Sequence, residues 1–138
     1  MSLKEQDRQV IVIMQLEKAD KVLSELDFAV QGQRWSIAAN RLYYALFHSV
    51  KALLISDRHE VGTHRGAVGL FSLHYVKTGI FTKEEGHLYG RLQTLRENGD
   101  YNCFIEVTRE DIEPFIEPTR QLIDKIKDYI KQKQTSNG

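Results

Sequence analysis

The chain predicts an all-α protein, an up-and-down bundle of about five helices folded as one domain over residues 1–138. Apolar residues recur at helical spacing along most of the length, and no stretch alternates convincingly enough to be a strand. The links between the periodic stretches are short, which is how antiparallel neighbours in a bundle are joined. One stretch, Asn40 to Leu54, is apolar on nearly every side and predicts the central helix.

The first helix covers roughly 4–30, with Val10, Ile13, Met14, Leu16, Ala19, Leu23, Leu26 and Val30 at helical spacing among charges. Gly32 breaks that pattern before a second helix at roughly 34–56. Its Ala38, Ala45 and Ala52 form a heptad-spaced small stripe that lets a neighbouring backbone come close. Residues 56–62 read as a loop, and Thr63 as the N-cap of a third helix over about 64–77, stopped at Gly79. Thr82 and Glu85 match a capping box and open the fourth helix. Asn98-Gly99, a pair suited to left-handed backbone, predicts its end. A fifth helix opens at Thr108 and runs from about 109 to Lys131. Pro114 and Pro118 lie too far inside it to be first-turn prolines, so a kink or a fractured first part is expected. Residues 1–3 and 132–138 read as flexible tails.

Composition excludes several classes. Nineteen basic and nineteen acidic residues cancel, so no global basic signal marks a nucleic-acid binder. The distribution is less even: residues 31–102 hold nine basic against six acidic groups and all five histidines. The reading for that segment is a solvated mixed surface with a weakly electropositive middle. No run approaches the eighteen or so apolar residues of a membrane span, and no apolar signal-peptide region follows the first charges. A single cysteine, Cys103, excludes an internal disulfide framework and suits a reducing cytoplasm. The histidines lie on different segments with no nearby Cys or paired carboxylate pattern, so neither a metal site nor a cofactor is expected.

Two segments carry candidate chemistry. On the second helix Arg41, Tyr44, His48 and Lys51 share one edge, since positions i, i+3, i+7 and i+10 lie close to one line. Burying such groups beside Leu42, Leu46, Val50 and Leu53 is costly unless each finds a partner. The edge therefore either feeds a polar network, with Arg41 paired to a carboxylate of another helix, or lines a cleft that meets a ligand such as a phosphate. The second segment is Leu95 to Asn102, where Arg96 would sit in the last turn of the fourth helix and Tyr101 would fold back beside it past the glycine stop. An arginine with a hydroxyl beside it makes a fair anion site, supported here by Asn98 and Asp100. A tyrosine titrates near pH 10, so at neutral pH Tyr101 donates a proton far better than it takes one.

These segments together resemble the HEPN-domain family, closest to its small stand-alone prokaryotic branch. The residues that carry the resemblance are RLYYALFH at 41–48, KALL at 51–54, TH at 63–64, FSLHYVKTG at 71–79 and LRENGDY at 95–101, in the family's order over about 40–101. The resemblance implies an all-α bundle, usually a homodimer with a cleft between protomers. It implies an RNA- or nucleotide-directed protein of a toxin–antitoxin or stress-defence system. Many members carry an Rx4-6H motif and act as metal-independent endoribonucleases. The motif arginine falls on Arg96, and its histidine position is Tyr101. Catalytic candidates are then Arg96 and Tyr101, with His48 as the base if its helix borders the same cleft. Arg41 and Tyr44 are its support. The alternative that the resemblance leaves open is a non-catalytic interaction module paired with a small nucleotidyltransferase.

Overall fold

The computed structural model describes residues 4–137, with side chains to residue 134, and every regular element in it is helical. Helix α1 spans Glu5–Gln31, α2 Trp35–Ser56, α3 His64–Phe71, α4 Lys83–Tyr101 and α5 Arg109–Asn137. The all-α bundle that the periodicity predicts is therefore the fold. Residues 1–3 and 138, expected as tails, lie outside the described residues.

Helix α2 is the axis. It packs most extensively on α1, then on α4 and α5, and more lightly on α3. Leu42, Tyr43, Leu46, Val50, Leu53 and Leu54 are wholly buried, as are Ala38, Ala45 and Ala52 of the small stripe. Ser49, buried among them, returns its hydroxyl to the Ala45 carbonyl at 3.0 Å, so the one small polar group inside this face is satisfied within its own helix.

The helix ends follow their local chemistry in most places. Thr63 caps α3, accepting the Gly66 N–H at 2.8 Å. At α4 the capping box closes in both directions, Glu85 N–H to Thr82 Oγ1 at 3.1 Å and Thr82 N–H to Glu85 Oε1 at 2.7 Å. The third helix does not run evenly to residue 77. After Phe71 the backbone widens into a π-turn over Ser72–Val76, where the Lys77 N–H bonds the Ser72 carbonyl at 2.9 Å. Gly79 ends it with a positive φ of 81°.

Two expected boundaries are corrected. Helix α4 passes straight through Asn98-Gly99 to Tyr101, with Asn102 N–H on the Asn98 carbonyl at 3.2 Å. Gly99 does not turn the chain, and a Cβ there would stand 3.6 Å from Ser36 and 3.5 Å from Val107, ordinary contact distances against the start of α2. A helical glycine costs about 1 kcal/mol relative to alanine, and the helix tolerates it here. Helix α5 is likewise unbroken through Pro114 and Pro118 and continues past Lys131 to Asn137. Both prolines are exposed, so the carbonyls left without an N–H partner can be met by water, while Ile112, Leu122, Ile123, Ile126 and Ile130 anchor the buried face.

The far end of α2 is tied down by one carboxylate. Asp57, its side chain 10% exposed, accepts from Tyr75 Oη at 2.7 Å, Tyr129 Oη at 3.1 Å and Lys133 Nζ at 3.0 Å. Burial and the Asp57 hydrogen bond push the Tyr75 phenol well up, so it stays a donor. Close by, the rings of His59 and His74 stack 3.8 Å apart. The axial role of α2 gives a contrast to measure: Leu46→Ala should cost about 2–5 kcal/mol in urea denaturation. Val10→Ala, at a residue 54% exposed on α1, should change stability by no more than about 0.5 kcal/mol.

Candidate functional site

The polar edge of α2 is a part-exposed strip on an otherwise buried helix: Asn40, Arg41, Tyr44, His48 and Lys51 all sit at intermediate exposure. Arg41 reaches across to α1 and donates to Glu25 Oε1 at 2.8 Å, while its other nitrogens donate to Asn40 Oδ1 at 3.1 and 2.6 Å. Its guanidinium also lies 5.6 Å from the Tyr44 ring. The charge of Arg41 is thus engaged inside the bundle, as the network reading of this edge requires.

From Asn40 the chain of contacts crosses to α4. Asn40 Nδ2 donates to Asp100 Oδ2 at 3.0 Å, and that carboxylate stands 3.9 Å from Arg96 Nη1. Because α4 continues to Tyr101, Arg96 lies more than a turn inside its C-terminus. The helix dipole that would explain an arginine in the last turn therefore acts on it weakly. Only 7% of Arg96 is exposed. Its guanidinium carbon is 4.8 Å from the Tyr43 ring centre and 5.7 Å from those of Tyr44 and Tyr101. Nη1 donates to Tyr101 Oη at 3.4 Å, a long bond. Nε is buried and has no hydrogen-bond partner among the described residues. Nε is shut off from solvent, so the capacity this cation keeps for an anion lies on its Nη side, where the hydroxyl and the carboxylate are held loosely.

The structure therefore links Arg41, Tyr44, Arg96, Asp100 and Tyr101 through neighbouring contacts. Tyr101 itself is 74% exposed. The Asn98 carbonyl takes the Asn102 N–H, an ordinary helical bond at the end of α4 that does not bring Asn98 into the cluster. His48 joins at one remove: its ring is 6.3 Å from that of Tyr44, and its Nδ1 donates to Gln15 Oε1 of α1 at 2.8 Å. That bond leaves the lone pair on Nε2. Burial, then the neighbouring Lys18 and Lys51, push the His48 imidazole down to about 4, so it is neutral at physiological pH.

Two residues that spacing did not single out belong to the same cluster. Tyr43, wholly buried, carries the ring closest to Arg96, and burial pushes its phenol up to about 12 even though Arg96 pulls the other way. Its hydroxyl meets His64 Nδ1 at 3.1 Å, and the His64 ring lies 5.5 Å from Tyr44 and 4.3 Å from Phe47. Burial and then Arg96 hold the His64 imidazole below its ordinary range. Tyr43 and His64 both lie within segments that carry the family resemblance, RLYYALFH at 41–48 and TH at 63–64, but nothing in their spacing places either beside Arg96. No group of three His, Cys, Asp or Glu that could hold a metal ion occurs among the described residues, and Cys103 is a free, exposed thiol. No helix of the described residues is long and apolar enough to cross a membrane.

His48 makes stability depend on pH in a definite sense. The fold keeps it neutral down to about pH 4, whereas the unfolded chain titrates near 6.5, so between those values only the unfolded chain takes up the proton. Stability should be full above pH 6.5 and decline as the pH falls toward 4. The loss should reach roughly 1–2 kcal/mol once solvent screening of a half-buried group is allowed for. In His48→Gln this part of the decline should vanish from thermal melts taken across that range.

Comparison with known proteins adds the lineage. A profile of the HEPN domain matches residues 14–129. A "UPF0332 protein" of Thermotoga maritima is 30% identical over 125 residues, covering 91% of this chain and 95% of that protein. Two proteins of Methanocaldococcus jannaschii carry the names "Putative toxin MJ0142" and "Putative toxin MJ0605". The first is 27% identical over 89% of this chain and 84% of its own length. The second is 30% identical over 85% of this chain and 87% of its own length.

Proposed function

The chain belongs to the HEPN domain family, and on that premise we propose that it is an RNA-directed protein of a toxin–antitoxin or defence system that acts on a phosphodiester held at Arg96. The observation that carries this reading is the state of Arg96: a buried guanidinium faced by three tyrosine rings, with Nε unpaired and its nearest carboxylate at 3.9 Å. The toxin in the names of the two Methanocaldococcus relatives supports the biological setting.

The chemistry is attack of a ribose 2′-hydroxyl on the adjacent phosphate, with a cyclic phosphate and a free 5′-hydroxyl as products. Arg96 stabilises the charge that builds on the phosphoryl oxygens, which is where a fixed guanidinium contributes most. Tyr101, exposed and beside Arg96, donates to the leaving oxygen. His48, neutral with its Nε2 lone pair free, takes the 2′-hydroxyl proton, though an imidazole so depressed is a weak base. The protein acts as a cytoplasmic homodimer in this reading.

The second reading is a module that binds RNA or a nucleotide without turnover and partners a small nucleotidyltransferase. What favours it is Tyr101 standing where the nuclease motif has histidine. One set of assays separates the two. Under the nuclease reading, purified protein cleaves single-stranded RNA in the presence of EDTA, and Arg96→Ala lowers the rate by about 10²–10³-fold. RNA retained on the protein without cleavage, and released by the same substitution, selects the binding module. Neither cleavage nor binding by the well-folded wild type would sink both readings.

A further inference from the structure

We propose that His64 is a second ligand of the phosphate taken by Arg96, so that a phosphodiester is gripped by a guanidinium and an imidazole that border the same pair of tyrosines. This rests on the phosphate reading of Arg96 given above. Arg96 and His64 reach the cluster from different elements, α4 and the first turn of α3, yet both lie against Tyr43 and Tyr44.

The bland account of His64 is that it satisfies the buried Tyr43 hydroxyl, and for Nδ1 that account suffices. It leaves the other half of the ring unexplained. Nε2 makes no hydrogen bond to any described residue, and the imidazole is only part-buried at the mouth of the cluster. In the tautomer where Tyr43 donates to Nδ1, and in the imidazolium, a hydrogen sits on Nε2, which makes it a donor available to an anion. Among the described residues no carboxylate pairs with His64 itself. Arg96 and Lys51 act on it, His48 and Tyr43 stand beside it, and the nearby carboxylates serve other cations: Asp100 faces Arg96, and Glu97 faces Arg65 at 3.8 Å. Glu97 also acts on Tyr43, so what an anion beside His64 would meet is the two fixed cations that act on this ring, Arg96 and Lys51.

The consequence is a pH dependence with a fixed sign. Empty, the site disfavours the imidazolium because burial and Arg96 both oppose it. A bound phosphodiester reverses the local field, so binding takes up a proton and affinity rises as the pH falls. The diester does not itself titrate near neutrality, and a window from about pH 5.5 to about pH 7.5 lies above the ordinary carboxylate range.

The test uses the full chain and a 2′-O-methyl oligoribonucleotide, which cannot be cleaved by 2′-hydroxyl attack, so binding is read without turnover. At constant ionic strength, wild-type affinity should be about tenfold higher at the acid end of that window than at the other end. The NMR titration of His64 should move to higher pH when the oligonucleotide is added, a readout that needs no variant. His64→Gln should flatten the pH profile, and Arg96→Ala should abolish binding throughout. An unmoved His64 titration, alongside binding that still depends on Arg96, overturns this proposal and leaves the Arg96 reading standing. Binding indifferent to Arg96→Ala removes the phosphate reading, and the role of His64 with it.

Discussion

The central constraint on this fold is that α2 has almost no side that water reaches. A helix buried on all but one strip must find protein partners for whatever polar groups it carries, and much of the surrounding bundle is arranged to supply them. Glu25 of α1 meets Arg41. Gln15 of the same helix meets His48, and Asp100 of α4 meets Asn40. These bonds lie along the part-exposed edge and add to a setting that the buried apolar faces of α1, α2 and α4 already determine. Arg96 follows from that arrangement: it is carried into the tyrosine pair by a helix whose setting other contacts have already determined.

Much of this was legible in the sequence and some was not, for physical reasons that differ by residue. Helical periodicity located all five helices because burial of one face is written in residue spacing. The capping threonines located two starts because their signal is local. Gly99 misled because Asn-Gly reads as a helix stop, whereas here the helix carries on through it with an ordinary bond from the Asn102 N–H to the Asn98 carbonyl. Pro114 and Pro118 misled because the damage that proline does to a helix depends on whether water can reach the freed carbonyls. In the cluster around Arg96, the pairing of Arg96 with Tyr101 was visible as neighbouring sequence. His64 was not, because its place depends on the course of the loop between α2 and α3, which no periodicity encodes.

The electrostatics of the cluster sort its members by task. Arg41 is paired at short range and works as structure. Arg96 is held chiefly by π-faces, which hold a guanidinium without consuming its in-plane donors. The two imidazoles are pushed toward neutrality by burial, with Lys51 acting on both, and the protein engages Nδ1 of each; they differ in the partner it offers there. Gln15 accepts from His48, whereas Tyr43 can either donate to His64 or accept from it, since a hydroxyl does both. His64 thus keeps a proton-dependent choice that His48 has lost.

The π-turn at Ser72–Val76 gives the fold a dependence on chain length as distinct from residue identity. It takes up one residue more than an α-helical turn would, and it presents Tyr75 to Asp57 at the end of α2. Deleting one of the other residues of that turn and reverting to α-helical bonding would leave the chain beyond it in register, because the extra residue is absorbed within the turn itself. What would move is the inside of the turn, and Tyr75 is there: the length of this one segment decides whether Asp57, at the end of α2, keeps its shortest donor.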